Sequence, residues 1–137
     1  MRNVVRFDEI EFWVDQNIIY CDFNADLLES YQKVDVEEIF YNGISILSNG
    51  KYLPILINLE DISSANAIKI FKFLSNSTIV KEIVLSKIFL VRSVGVKVVL
   101  SLYNLVGDPV VPIKVCNDFN LAVKYCHKDY SAFNTIS

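Results

Sequence analysis

The residues best placed to do chemistry lie in one short turn, "EDISSANA", Glu60 to Ala67. Ser63 and Ser64 stand where a helix is expected to begin. Free backbone amides and the helix dipole stabilise negative charge at such a point, so either hydroxyl could accept a phosphoryl group. Serine is also a preferred helix cap, which is the ordinary reading of the pair. Glu60 and Asp61 would oppose a new phosphate. They could form an acid/base pair or hold a cation, but adjacent positions in a strand or turn point apart, and no further carboxylate follows closely. A solvated loop is the simpler reading. Asp61, Ser63 and Ser64 are therefore the candidate regulatory loop.

Elsewhere the chemistry is sparse. His127 is the single histidine, and its neighbour Cys126 cannot face it on a helix. A surface histidine near a helix C-terminus is the plain reading. Cys21, Cys116 and Cys126 are odd in number and lack metal-ligand spacing, so buried reduced thiols in a cytoplasmic protein are expected. The acidic residues Glu9, Glu11 and Asp15 read as an exposed edge and not as a metal site. The sequence contains no GxGxxG, P-loop, HExxH or GxSxG motif. No catalytic residue is assigned, and neither a cofactor nor a metal is expected.

The composition agrees with one folded, globular domain. With 137 residues there is room for one domain and a proper core. Hydrophobic residues make up 53% and charged ones 21%, a globular profile. The net charge is -3 and the thirteen Lys and Arg are scattered, which argues against a nucleic-acid partner. The start "MRNVVRFDEIEFW" has no apolar signal-peptide core, and "VGVKVVLSLYNLVG" is too short to span a bilayer.

The elements that must position the turn follow from periodicity. "EIEFWVD" (Glu9–Asp15) alternates, with Ile10, Phe12 and Val14 on one face. Its acidic outer face suits an edge strand, and a short link joins it to a second strand at Ile18–Phe23, making a hairpin. Asp35 and Glu38 resemble a capping box ahead of a helix that carries Ile39, Phe40, Ile44 and Leu47 and stops at Asn49–Gly50. Gly43 inside that helix costs about 1 kcal/mol relative to Ala, a hint of close packing. Leu53–Leu59 is apolar throughout, as in a strand covered on both faces. Helix follows at Asn66–Leu74, continued for a turn or two by "NSTIVKEIV". A buried strand is expected at Lys87–Ser93, a helix at Val94–Val106, and a loop at "GDPVVP". Last come a short strand at Ile113–Cys116 and a helix at Asp118–Lys128. In the last helix Asp118 is the expected cap and Phe119, Ala122, Val123 and Cys126 the core stripe. The order ββαβαβαβα implies a mixed, mostly parallel α/β sheet with an antiparallel N-terminal hairpin and flanking helices. One domain is expected over 1–128, with a tail at 129–137.

This order resembles the STAS domain, named for sulphate transporters and anti-sigma-factor antagonists, and in particular small bacterial STAS-like proteins, SpoIIAA-like or SEC14-like, of uncharacterised role. The stretches that carry the resemblance are "EFWVDQNIIYCDF", "ILINLEDISSANAIKIF" and "PIKVCNDFNLAVKYC". It implies a SpoIIAA-like fold and a regulatory function through protein contacts. In phosphorylated STAS antagonists, the loop after the third strand holds an Asp-Ser-Ser/Thr-Gly-like element whose serine is modified by a partner kinase. Ser63 and Ser64 lie in the matching region, Ile62 stands where that Asp would be, and no Gly follows.

One further feature is hydrophobic. In Val94–Val106 the polar stripe is narrow, only Lys97, Ser101 and Asn104, whereas a helix on a sheet needs about a 100° apolar stripe. Val96, Val99, Leu100 and Tyr103 are therefore the candidate interface, for a protein partner or for a homo-oligomer. The same surplus could instead line a cleft for a small apolar ligand or lipid, or be covered by the tail through Tyr130 and Phe133.

Overall fold

Alternation in the first strands sets the register of the sheet. The computed structural model describes residues 4–7, 9–23, 33–106 and 112–136. Strands β1 (Val4–Phe7), β2 (Ile10–Asp15) and β3 (Ile18–Phe23) run antiparallel to one another. Ile10 and Phe12 of β2, with Ile19 and Cys21 of β3, point into the core. The two-residue turn between β2 and β3 holds Gln16 and Asn17 at positive φ (49° and 64°), the backbone that matches the twist of a tight hairpin. β1 was not expected. It takes the sheet edge, so β2 is an inner strand and Glu11 faces Arg6 as an ion pair. The expectation of an acidic edge on β2 is thereby corrected.

Strands β4 (Leu53–Asn58), β5 (Val84–Leu90) and β6 (Ile113–Cys116) join in parallel, giving a six-stranded mixed sheet in the order β1-β2-β3-β4-β5-β6. The crossovers are α1 (Lys33–Ser48), the pair α2 (Ser64–Asn76) and α3 (Thr78–Lys81), and α4 (Val94–Val106). Each crossover steps one strand in the same direction. Connections of uniform hand then place all these helices on one face. Their inner residues, among them Phe40, Phe71, Val80 and Leu100, share one core with Phe12 and Phe89. The last helix, α5 (Phe119–Ile136), covers the opposite face through Ala122 and Cys126, against Leu56, Ile88 and Leu90.

Several boundaries moved for physical reasons. α1 starts at Lys33, so Asp35 lies in its first turn and is not its cap. Gly43 does mark close packing, because a Cβ there would sit 2.7 Å from the Phe12 ring. α2 and α3 are separate helices, since Ser77 caps the second through the Val80 amide (3.2 Å) and gives its own proton to Glu37 (3.0 Å). α5 runs on through the expected tail. There Asn134 and Thr135 donate to the carbonyls of Tyr130 and Ser131, one turn back, in place of an apolar stripe. Phe119 is half exposed and does not belong to the core stripe. Of the expected loop "GDPVVP" (107–112), residues 107–111 lie outside the described residues. Among the described residues, no helix is long and apolar enough to cross a membrane.

Candidate functional site

The "EDISSANA" turn leaves the carboxyl end of β4 and opens α2. Glu60 turns the chain by giving its amide to the Asn58 side chain (3.0 Å). Ser63 is extended and caps α2, its Oγ accepting from the Asn66 amide (3.2 Å) and its carbonyl from the Ala67 amide (2.8 Å). Ser64 is the first helical residue, and both serines are exposed. The neighbouring strand ends in the same way. After β5, the Ser93 Oγ accepts from the Val96 amide (3.0 Å) and starts α4. The two helix N-termini thus stand side by side, because both follow adjacent parallel strands and lie on the same face.

Between them is a pocket of about 200 Å³. Ser63, Ser64 and Ser93 line it together with Glu60, Arg92 and the apolar floor of Leu59, Ala67 and Val91. Asp61 pairs with Arg92 across its rim at 3.2 Å, with both side chains well exposed. Hydroxyls, one guanidinium and two helix starts make the corner receptive to a negatively charged group, while Glu60 and Asp61 oppose one. Successive crossovers on one face leave no point where helices part to opposite sides of the sheet, the place where parallel sheets usually open a ligand crevice. The pocket is accordingly small.

The candidate interface residues divide. Leu100 is fully buried and belongs to the core; this corrects its place in the expected surface. Val96 is half-buried and lines the pocket. Val99 and Tyr103 are exposed, and with them Val94, Val98 and Leu102, which are 62%, 51% and 58% exposed. The polar stripe is not the solvent face of α4. Lys97, Ser101 and Asn104 are half-buried toward β6, where the Asn104 amide donates to the Ile113 carbonyl (3.0 Å). Among the described residues, every fully exposed position of α4 is aliphatic, aromatic or glycine. Among the described residues, the tail aromatics do not cover this crest, and Tyr130 packs against the core cluster. Phe133 packs its ring against Tyr52, ahead of β4.

Other groups lie apart from this corner. His127 is half-buried in the middle of α5, because that helix outruns its expected end. The three cysteines are buried free thiols. Burial pushes the Cys21, Cys116 and Cys126 thiols up, Cys21 and Cys126 most, so they stay protonated near neutrality. Among the described residues, no group of three or more His, Cys, Asp or Glu could hold a metal. A wider groove of about 580 Å³ runs beside Glu37, Glu38, Tyr41, Ile79 and Glu82 on and near α1 and α3.

Two features escaped the sequence reading. Lys87 is 1% exposed, inside the core, where its Nζ donates to the Leu74 carbonyl in the last turn of α2 (2.7 Å). A lysine within an apolar run was the only available signal. Trp13 and Tyr20 stack at 5.4 Å on the face that α5 covers, with Phe119 next to Tyr20. Their cross-strand register is visible only once the hairpin is set. In comparisons with known proteins, no family model, no curated protein and no solved structure matches this chain.

Proposed function

We propose that the protein is a cytoplasmic, non-enzymatic regulatory or protein-interaction module of STAS-like type. A partner protein docks on the exposed crest of α4, and the adjoining Ser63–Ser64 turn regulates it. The observation that carries this reading is the crest itself. Val94, Val98, Val99, Leu102 and Tyr103 leave apolar surface in water on a helix whose inner side, at Leu100, is already buried. The turn adjoins it, since Ser63 and Ser64 share a pocket with Ser93 and Val96 at the start of α4. A phosphoryl group on either serine would meet the helix amides and compete with Asp61 for Arg92. The antiparallel start of the sheet, followed by strands alternating with helices, supports the STAS-like part of the proposal.

The rival reading, a carrier of a small apolar ligand or lipid, takes its pocket walls from α2 and α4. The pocket between their N-termini, at about 200 Å³ and with serines, Glu60 and Arg92 on its wall, is small and polar for such a cargo.

A photoreactive amino acid at Leu102, introduced into the protein in its native host, tests the docking reading. We expect a protein adduct from Leu102 and none from Lys124 on the polar side of α5. Equal labelling from both positions, or none from Leu102, ends the proposal.

A further inference from the structure

The chemistry around the crest of α4 specifies its partner further. We propose that the occupant is an acidic amphipathic helix of a partner protein, laid along α4 between two lysine margins; this rests on α4 being the docking surface and adds the class of partner. Val94, Val98 and Leu102 repeat every four residues and form one ridge, with Val99 and Tyr103 forming a second beside it. Ridges of this spacing are what a second helix packs against.

Within α2 and α4 themselves the charge has one sign. On the α2 side, Lys69 and Lys72 are exposed, and the Lys72 Nζ lies 4.4 Å from the centre of the Tyr103 ring. On the β6 side the margin is a single half-buried lysine, Lys97, seven residues before Asn104 and so on the same helical face. Neither α2 nor α4 contains a carboxylate, although the whole protein carries a net charge of -3. Glu60, Asp61 and Arg92 lie at one end, in the turns that precede the two helices, and Asp61 and Arg92 answer each other there. An apolar stripe with cationic margins is complementary to a helix with an apolar stripe and Asp or Glu on both flanks.

The alternatives fit less well. A second copy of this chain would bring lysine margin against lysine margin, which disfavours that pairing. An anionic membrane is ordinarily held by clusters of about four to eight basic residues, and three lysines fall short.

Two synthetic helical peptides of about 20 residues test the inference. Both carry leucine at the core positions; one has glutamate on its flanks and the other lysine. Binding to the full chain is read by fluorescence anisotropy at low and high salt. The glutamate peptide is expected to bind at least about tenfold tighter, to weaken with salt, and to lose that advantage in Lys69→Glu/Lys72→Glu. Leu102→Lys, at an exposed position, should remove binding without loss of fold. Equal binding of the two peptides, or no binding of the glutamate peptide, overturns the inference. So does self-association through the crest in sedimentation, or binding confined to phosphatidylserine vesicles. The Leu102 adduct separates the two claims, because an adduct to a neutral or basic segment of a protein removes the acidic partner and leaves the docking surface in place.

Discussion

Helices α4 and α5 flank the same sheet but meet water differently. α5 shows water a mixed side, polar at Asn120, Lys124, Lys128, Ser131 and Asn134 and apolar at Phe119, Leu121 and Phe133, which do not line up as one ridge. Its inner side is built from small residues, Ala122 and Cys126, against the sheet. α4 buries Leu100 on its inner side, turns its few polar residues sideways toward β6, and shows water an apolar crest. Both helices begin alike, with Ser93 and Asp118 as caps. What differs is the outer surface, which packing onto the sheet does not require. The lesson is that the crest of α4 is surplus to folding, and surplus apolar surface is where a partner is sought first.

That comparison can be broken at the inner side of α4. Leu100→Ala should cost about 2–5 kcal/mol of stability in urea unfolding, whereas Leu102→Ala should stay within about 0.5 kcal/mol. Comparable losses at both positions would show that the crest is covered, and the contrast with α5 would disappear. A second test reads the inner side of α5. The Cys126 thiol is pushed well above its ordinary value of 9.0 by burial. In the unfolded chain it ionises above that value and in the folded chain it stays neutral. The unfolded state then holds fewer protons, so stability falls as pH rises past about 9, by up to about 1.4 kcal/mol per pH unit for one thiol. Cys126→Ala should flatten that slope by about one thiol's share, measured as unfolding free energy between pH 8 and 10. The smallest effect concerns what the helices have in common. Ser93→Ala and Asp118→Ala should each cost about 1 kcal/mol, and a large difference between them would show that the two helix starts are not equivalent.

Much of the fold was legible because it rests on local rules. The alternation of Ile10, Phe12 and Val14, the apolar run at β4, the length of α4 and the Asp118 cap each declare an element within a few residues. Gly43 announced its close contact because nothing else justifies a glycine in a helix interior. β1 was missed because four residues, "VVRF", make too short a pattern before pairing reveals them. The end of α5 was missed because its last turns carry side-chain bonds to the backbone and not an apolar period. The candidate site was half legible. Ser63 and Ser64 could be named from sequence, but Ser93 and Arg92 join them only because β4 and β5 are neighbours. The direction of the α4 polar stripe was illegible, since Asn104 turns inward to serve a carbonyl on a strand that folding brings beside it.

The order of the strands also bears on how the chain finds its structure. Every strand pairs with the strand before it in sequence. Contact order is therefore low for a sheet with parallel pairs, and each loop closed during folding is one crossover long. The sheet can grow by accretion from the N-terminal hairpin, one strand and one helix at a time, in the order in which a ribosome would deliver them. Among the described strands none has to wait for a distant neighbour, and α5, which follows β6, closes the second face after its floor has been laid.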